Sequence, residues 1–304
     1  MNRSAVFKEE MSMKILITGA GGFVGSRLAE YYGKKYDVWT PSHHEFDFTD
    51  QEAARAGIAG YQPDVVLHCA AISDVGTCEK NPELSQKVNV EGTVNLAVCC
   101  AEAGIKLVYC SSDQVYVRSR YEDESAEEYL TPWKEEDGKD PKPLYGKHKL
   151  TAEQICQKIC PSSVGLRLTW MYGTLNEKET AAGRRNMEVI LREAILDKKP
   201  VTFSETDYRA VTDINEVVAN MEKVWQLPGG VYNYGSSSAG SIYEAVCAAF
   251  AQAGLADLCA EYVVKAEGGN LRNLTMDISR IKEAGIHFDD TKTGLARCIR
   301  KIVG

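Results

Sequence analysis

The stretch YGKHK places Tyr145 four residues before Lys149. On a helix, side chains at this spacing project from one face about 6 Å apart. A free tyrosine has a pKa of about 10, and a neighbouring ammonium group lowers it toward the range useful for general acid–base chemistry. The spacing is common by chance, so its significance depends on the segments around it.

The stretch YCSSDQVY adds Ser112, Asp113 and Gln114 directly after an apolar run. If that run is a strand of a parallel sheet, Ser112 stands at its carboxyl end, where such sheets bind ligands. Its hydroxyl can there hydrogen-bond and polarise a substrate carbonyl. Serine, tyrosine and lysine together predict a site for hydride transfer between a carbonyl and an alcohol. Gln114 disfavours reactions that need a second base beside Asp113, because an amide cannot serve as that base.

Three glycines, Gly19, Gly22 and Gly25, lie in TGAGGFVG between the apolar run KILIT and a segment with helical spacing. A dinucleotide pyrophosphate must approach the backbone closely and lies at a helix N-terminus with free N–H groups, so side chains would obstruct it. Because a predicted strand and a predicted helix flank the glycines, the pattern indicates a dinucleotide-binding loop.

The second strand, DVWTP, predicts the choice of dinucleotide. A site that prefers NAD usually has an acid at the end of this strand, on the adenosine ribose. Here Thr40, Ser42 and His43 occupy that region. Polar groups tolerate a 2′-phosphate, so we expect NADP(H) to be favoured over NAD(H).

Strands and helices alternate along the first half of the chain, which predicts an α/β fold of the Rossmann type. We expect a doubly wound parallel sheet with a smaller mixed α/β substrate-binding domain. The dinucleotide-binding domain is assigned to residues 13–172, with 208–235 returning to it. The substrate-binding domain is assigned to residues 173–207 and 236–304.

Composition excludes several other classes of function. A net charge of −8 disfavours nucleic acid or an anionic membrane as partner. We expect no membrane span and no secretory signal, because no sufficiently long apolar run occurs and MNRSAVFKEEMSM lacks an apolar core. The ten cysteines show no CxxC or zinc spacing. They predict reduced thiols, no metal site and a cytoplasmic location.

Residues 118–143 carry nine acids and five bases. This charge density is typical of a solvated loop. Because the segment joins the two candidate catalytic stretches, a mobile flap over the site is the alternative.

Taken together, these motifs resemble the extended short-chain dehydrogenase/reductase family, and most of all its dTDP-4-dehydrorhamnose reductase branch. The resemblance runs from about residue 13 to the C-terminus. TGAGGFVG, YCSSDQVY and LYGKHKLTAE are specific to the superfamily. RLTWMYG, DYRAVTD and RNLTMDISRIKEAGI point to the branch.

The resemblance implies a role for individual residues. Ser112, Tyr145 and Lys149 would be catalytic, and Lys149 would also hold the nicotinamide ribose. The remaining cofactor contacts would come from Gly19, Gly22, Phe23, Val24, Gly25, Ser42, His43, Asp47, Phe48, Ala70, Ala71 and Asn89. A nucleotide-sugar substrate would meet Ser112, Asp113, Trp170 and Arg209, the last as a partner for a phosphate. The superfamily often dimerises through helices, so a homodimer is compatible with the resemblance.

Two departures bear on the sugar. The family's acidic motif after the third strand usually reads V-D-x-A-E, and here Gly76 replaces its Asp. Asn270 and Leu271 stand where the family often has Arg-Pro. Both changes leave the cofactor motifs intact.

The resemblance predicts NADPH-dependent reduction of a nucleotide-linked 4-keto-6-deoxysugar, most simply dTDP-4-dehydrorhamnose to dTDP-L-rhamnose. A nucleotide-sugar epimerase of the same superfamily is an alternative. A 4,6-dehydratase is disfavoured, since similar dehydratases have an Asp-Glu pair where this chain has Asp113 and Gln114. A further alternative is a non-catalytic NADP-binding subunit resembling the β-subunit of methionine adenosyltransferase.

Overall fold

The computed structural model describes residues 13–304, so residues 1–12, where we expect no secretory signal, lie outside the described residues. The strands are β1 (Lys14–Thr18), β2 (Asp37–Trp39), β3 (Val65–His68), β4 (Lys106–Ser112), β5 (Val164–Leu168), β6 (Trp170–Tyr172), β7 (Val201–Ser204), β8 (Asp207–Arg209), β9 (Val211–Asp213), β10 (Gly230–Tyr234), β11 (Val263–Ala266) and β12 (Arg272–Leu274).

The helices of the first half are α1 (Phe23–Tyr32), α2 (Gln51–Tyr61), α3 (Val75–Lys80), α4 (Pro82–Gln86), α5 (Gly92–Ala103), α6 (Ala126–Tyr129) and α7 (Leu144–Ile159). Those of the second half are α8 (Glu177–Ala181), α9 (Met187–Ile195), α10 (Ile214–Ala219), α11 (Met221–Val224), α12 (Ile242–Gln252), α13 (Ala256–Tyr262), α14 (Ser279–Glu283) and α15 (Thr291–Val303). A π-helical segment (Lys87–Glu91) joins α4 to α5, and a 3₁₀ turn (Asp113–Tyr116) follows β4.

The central sheet has six strands in the order β10-β5-β4-β3-β1-β2, and every neighbouring pair is parallel. This arrangement confirms the predicted α/β class with a doubly wound parallel sheet. The chain moves from β1 outward to β2 and then returns to β3 on the other side of β1. That reversal creates a crevice at the carboxyl ends of β1 and β3, the usual ligand site of such sheets.

Alternation along the buried strands divides the core between two layers of helices. Ile15 and Ile17 of β1 belong to one apolar cluster together with residues of α1 and α10, whereas Leu16 packs with residues of α2 and α5. Strands covered on both faces read as continuous apolar runs, which is why KILIT and VVL carry no polar alternation. The buried sheet provides the rigid support for the site.

A third apolar cluster lies outside the sheet and is built from β7, α9, α12 and α15. It supports our proposal that residues 173–207 and 236–304 form a substrate-binding domain beside a dinucleotide-binding domain of residues 13–172. The return of 208–235 to the first domain is supported by β10, which pairs with β5 at the edge of the central sheet.

Several predicted elements differ from those observed. The stretch NPELSQKVNVEGTVNLAVCCAEAG, residues 81–104, predicts a single helix, but the structure divides it into α4, the π-helical segment and α5. The stretch SVGLRLTWMYG predicts one strand, but the structure has two, because β6 leaves the central sheet and pairs with β9. The helix α15 was not anticipated, although its N-cap, Asp290, accepts a hydrogen bond from the Thr293 N–H and is a recognisable start signal.

The acidic segment 118–143 is more ordered than a solvated loop would be. Its helix α6 begins with a capping box formed by Ser125 and Glu128. Trp133 is buried, and its indole N–H donates to the Asn273 carbonyl at 3.0 Å. The Tyr129 hydroxyl donates to the Arg118 carbonyl at 2.9 Å. The Tyr129 contact is internal to the segment, whereas the Trp133 contact fastens the segment onto β12, a long-range arrangement that its charge pattern did not reveal.

Within residues 13–304, no helix has both the length and the hydropathy that crossing a bilayer requires. The same residues contain no group of three or more side chains arranged to hold a metal ion.

Candidate active site

The three predicted catalytic residues converge at the carboxyl end of the sheet. Ser112 is the last residue of β4, and its hydroxyl accepts a hydrogen bond from the Gln114 N–H at 3.2 Å. Tyr145 and Lys149 lie one turn apart near the start of α7, and both are buried. The Lys149 Nζ lies 5.7 Å from the Tyr145 ring centroid and donates to the Cys110 carbonyl at 2.8 Å.

The expected depression of the Tyr145 pKa by Lys149 is wrong for the chain as it stands. Burial, followed by the Asp113 carboxylate, raises the pKa of Tyr145 above its ordinary value, although the nearby Ser112 hydroxyl opposes the rise. Burial also lowers the pKa of Lys149. Both shifts follow from desolvation, which disfavours the charged form of either group. Tyr145 is therefore a protonated phenol at neutral pH, and such a group is equipped to donate a proton.

The glycine loop forms a cradle that only glycine permits. Gly19 has φ of +73°, and a Cβ atom there would lie 2.5 Å from the Ala70 nitrogen. A Cβ on Gly25 would lie 2.3 Å from the Gly19 carbonyl oxygen. Gly22 is the N-cap of α1 and provides no side chain to satisfy the first N–H groups of that helix. Free N–H groups beside an unobstructed backbone fit a dinucleotide pyrophosphate.

The predicted adenosine contacts line neighbouring hollows beside this loop. Ser42 and His43 border one hollow with Gly19 and Gly22, and Asp47 and Phe48 border the next with Ala70 and Ala71. Glu45 was missed by the sequence reasoning. Its carboxylate faces the first hollow and accepts hydrogen bonds from the Ser42 N–H at 2.9 Å and the Ser42 hydroxyl at 2.8 Å.

Asn89 occupies a different position from the other predicted cofactor residues. It is fully buried in the π-helical segment. Its amide accepts from the Ile72 N–H and donates to the Ile72 carbonyl, both at 2.9 Å. The side chain therefore supports the backbone that follows Ala71, and its contact with a cofactor stays a prediction.

The predicted substrate residues meet on the opposite wall. The guanidinium of Arg209, at the end of β8, lies 5.1 Å from the Trp170 ring centroid. Its Nη2 is 3.9 Å from the Asp113 Oδ2, and its Nη1 is 3.7 Å from the Asp207 Oδ2. The Arg209 Nε and the Asp113 Oδ2 are buried without a hydrogen-bond partner. Unpaired buried polar atoms of this kind call for a ligand, because leaving them unsatisfied costs roughly 1–3 kcal/mol each.

The catalytic residues and the substrate residues share one cleft of about 360 Å³, which Phe23 and Val24 also line. Arg184 and Arg185, which the sequence reasoning missed, contribute to the same wall. Their basic pair lies directly before Asn186, the N-cap of α9, and this was the available signal. The cleft lining thus holds one carboxylate, Asp113, against the cations Lys149, Arg184, Arg185 and Arg209. A cationic cleft in an acidic protein favours anionic ligands.

A larger hollow of about 510 Å³ lies between α2 and α5. It is remote from Ser112, Tyr145 and Lys149, and its lining includes Arg55, Asp64 and Glu102, of which Arg55 and Glu102 are already paired with each other. We therefore assign the chemistry to the smaller cleft.

Comparison with known proteins places these features in a family context. The family model described as RmlD substrate binding domain matches residues 13–303. The spore coat polysaccharide biosynthesis protein SpsK of Bacillus subtilis is 27% identical over 80% of this chain and 80% of its own. A dTDP-4-dehydrorhamnose reductase of Mycolicibacterium smegmatis is 35% identical, but the match covers 53% of this chain and about half, 47%, of that relative. Methionine adenosyltransferase 2 subunit beta of Xenopus laevis is 27% identical over 78% of this chain and 71% of its own.

Solved structures show the same fold. The dTDP-4-dehydrorhamnose reductase of Bacillus anthracis, in complex with NADP, superposes with a TM-score of 0.77 at 19% identity, over 96% of this chain and 99% of that one. The UDP-glucose 4-epimerase of Thermus thermophilus, in complex with NAD, superposes with a TM-score of 0.69 at 23% identity, over 96% and 99%. At these identities the likeness extends to the architecture alone.

Proposed function

The chain belongs to the RmlD substrate binding domain family, and on that premise we propose that it is an NADP(H)-dependent oxidoreductase that reduces a nucleotide-linked 4-keto-6-deoxysugar. The substrate we infer is dTDP-4-dehydrorhamnose, and the product is dTDP-L-rhamnose. The relative from Mycolicibacterium smegmatis, which bears the name of that reductase, supports this choice.

One observation carries the proposal: Ser112, Tyr145 and Lys149 line a single cleft that also holds three arginines. The catalytic set matches hydride transfer at a carbonyl. The cations match two diphosphates, one in the dinucleotide and one in the nucleotide sugar. The glycine loop and the two hollows beside it, one lined by Ser42 and the other by Asp47, would hold the cofactor.

A nicotinamide cofactor, when bound in the cleft, would supply the hydride for the keto carbon. Ser112 donates a hydrogen bond to the keto oxygen and polarises it. Tyr145, whose raised pKa keeps it protonated, delivers its proton to that oxygen as negative charge develops there. The Lys149 ammonium then compensates the phenolate charge left on Tyr145.

The remaining residues orient the sugar nucleotide. Trp170 presents an aromatic face on which a sugar ring can pack. Arg209, with its unpaired Nε, is placed to donate to a phosphate oxygen. Gln114 donates from its amide to the Asp113 Oδ1 at 3.4 Å and accepts no proton, which leaves elimination without a base.

The assay is oxidation of NADPH by freshly prepared dTDP-4-dehydrorhamnose. We expect Tyr145→Phe to lower kcat by about 10²–10⁴-fold, the usual contribution of a positioned proton donor, while cofactor binding is retained. Tyr31→Phe, at an exposed tyrosine of α1, is the matched control and should leave kcat unchanged. If the wild type oxidises neither NADPH nor NADH with this substrate, the reductase proposal fails for that sugar.

The same assay tests the nucleotide preference. We propose NADP(H) over NAD(H), supported by the NADP-bound structure of the Bacillus anthracis reductase. A higher kcat/KM with NADH than with NADPH would contradict this. Glu45→Gln would then show whether the Glu45 carboxylate in the Ser42 hollow is responsible.

We also propose a cytoplasmic location, which the ten free cysteines support because disulfides are rare in that compartment.

A homodimer is our expectation for the assembly, and light scattering of the purified protein tests it.

A second candidate function is that of a regulatory subunit. The likeness to methionine adenosyltransferase 2 subunit beta, over 78% of the chain, favours it. Recovery of a stoichiometric complex with a methionine adenosyltransferase catalytic subunit, together with no turnover of any keto-sugar nucleotide, would establish this function in place of the reductase.

A further inference from the structure

Two cysteines to which we assign no catalytic role lie side by side in the lining of the cleft. Cys69 directly follows β3, and Cys110 belongs to β4. Continuing the register that pairs His68 with Tyr109 sets these two residues opposite each other on adjacent parallel strands. Their Sγ atoms are 3.7 Å apart.

This spacing suits a covalent bond between the two sulfurs. Neighbouring strands lie about 4.8 Å apart, which falls within the range of roughly 4.4–6.8 Å between the Cα atoms of bonded cysteines. Small side-chain rotations and a slight strand adjustment would bring the sulfurs to the bonded distance of about 2.05 Å.

The two residues are less buried than most other cysteines of the chain. Cys69 and Cys110 are partly exposed and line the cleft together with Lys149. By contrast, Cys100 and Cys156 are buried and do not line the cleft. Partly exposed thiols near a cation oxidise in preference to fully buried ones.

We propose that Cys69 and Cys110 form a reactive dithiol that a hydroperoxide converts to a disulfide within the cleft. The Cys110 thiolate attacks the peroxide, the O–O bond breaks, an alkoxide or hydroxide leaves, and a sulfenic acid forms. The Cys69 sulfur then attacks the Cys110 sulfur, the S–O bond breaks, and water leaves. Two thiols thus give two electrons to one hydroperoxide, which is reduced to the alcohol and water.

Electrostatics favour Cys110 as the first nucleophile. In the neutral pair the Cys110 thiol donates the hydrogen bond to the Cys69 sulfur. Once Cys110 is a thiolate, a hydrogen bond from Cys69 lowers the pKa of Cys110, burial opposes this shift, and Lys149 assists it. The same hydrogen bond and burial raise the pKa of Cys69. Cys69 therefore stays protonated until it resolves the sulfenic acid.

The test treats the 304-residue chain with hydrogen peroxide, alkylates the remaining thiols with N-ethylmaleimide and maps tryptic peptides by mass spectrometry. We expect peptide 56–80 linked to peptide 107–118, two fewer free thiols than the ten of the untreated chain, and reversal by dithiothreitol. Cys69→Ser and Cys110→Ser should each abolish the link. Cys247→Ser, at a partly exposed cysteine of α12 outside the cleft, is the matched control and should preserve it.

Linkage through Cys78, which shares peptide 56–80, would overturn the proposal, and so would oxidation that stops at unlinked sulfenic or sulfinic acid in the wild type. A further arm adds NADPH before the peroxide and rests on the proposed function. Slower linkage with NADPH supports both inferences. Linkage that NADPH leaves unchanged supports the disulfide and contradicts the placement of the cofactor.

Discussion

Two arginine–carboxylate pairs lie near the carboxyl end of the central sheet and differ in how fully their atoms are satisfied. Glu153 of α7 receives two hydrogen bonds from the Arg167 Nε, at 3.0 and 3.3 Å, and one from its Nη2 at 2.7 Å. The Arg167 Nη1 donates to the Tyr116 hydroxyl at 2.6 Å, and the Ser111 hydroxyl donates to Glu153. Asp113 and Arg209 approach only to 3.9 Å, and each retains an unpaired buried atom.

This difference separates a structural pair from a pair prepared for a ligand. The Glu153–Arg167 pair links α7, which carries Tyr145 and Lys149, to β4 and β5, and its polar atoms are used within the protein. The Asp113–Arg209 pair faces the cleft, where unused hydrogen-bonding capacity is available to a substrate. Burial is similar for the two carboxylates, with side-chain exposures of 3% for Glu153 and 4% for Asp113. The hydrogen bonding of their polar atoms therefore distinguishes the two pairs better than burial of the carboxylates does.

The largest expected effect comes from breaking the satisfied pair. Arg167→Met leaves the Glu153 carboxylate buried without its cation, which should lower the free energy of unfolding by about 3–5 kcal/mol. Urea denaturation measures the loss. The double variant Glu153→Met/Arg167→Met removes the uncompensated charge and should recover much of it.

If the double variant is as unstable as Arg167→Met, the loss of unfolding free energy comes from the hydrogen bonds to Ser111 and Tyr116, and the ion pair is not its cause. Glu102→Gln provides the surface control, because the Arg55–Glu102 pair is exposed and its loss should be too small to measure.

The next effect separates binding from stability at the unsatisfied pair. Arg209→Met should raise the KM for the nucleotide sugar by roughly 10–100-fold, because hydrogen bonds to charged groups contribute about 1.5–3 kcal/mol. The free energy of unfolding should change by no more than about 1.5 kcal/mol. Steady-state kinetics and urea denaturation of the same preparation provide both values.

Arg280→Met is the matched control for Arg209→Met, since Arg280 lies on α14 outside the cleft. An unchanged KM in Arg209→Met, or a stability loss equal to that of Arg167→Met, would remove the distinction between the two pairs.

The smallest effect concerns the cost of the Asp113 charge. Burial raises the pKa of Asp113 despite the opposing influence of Arg209. The folded state therefore binds the proton more tightly than the unfolded state, and stability falls as the pH rises from the unfolded pKa through the folded pKa. At pH near 7, Asp113→Asn should raise the free energy of unfolding by about 0.5–2 kcal/mol, and this gain should vanish below a pH of about 4.

Asp74→Asn is the control of opposite sign. The Thr77 hydroxyl and N–H lower the pKa of Asp74, the N-cap of α3, so its charged form stabilises the fold above the unfolded pKa. Asp74→Asn should lower stability at neutral pH and converge with the wild type in acid. A gain for both variants, or for neither, would contradict the assigned directions. Thermal unfolding followed at several pH values measures each difference.

Local features of the site were predictable because short-range physics decides them. Gly33 and Gly104 end α1 and α5 as their sequence positions indicate, and Asp50 caps α2 through a hydrogen bond from the Ala53 N–H. The helical spacing of Tyr145 and Lys149 followed from YGKHK alone. The direction of the Tyr145 pKa shift did not, because it depends on burial and on Asp113, which only the packed cleft brings to bear.

The sequence by itself determined the doubly wound parallel sheet, the glycine cradle and the helical face of Tyr145 and Lys149, since hydrophobic periodicity and backbone sterics act over a few residues. Only the tertiary structure decided that Arg209 meets Asp113, that Arg184 and Arg185 border the cleft, that the 118–143 segment is fastened at Trp133, and that Cys69 lies opposite Cys110. Those pairings depend on strand register and on the packing of segments distant in the chain. A short stretch such as YCSSDQVY specifies neither the strand register nor the packing partners of its residues.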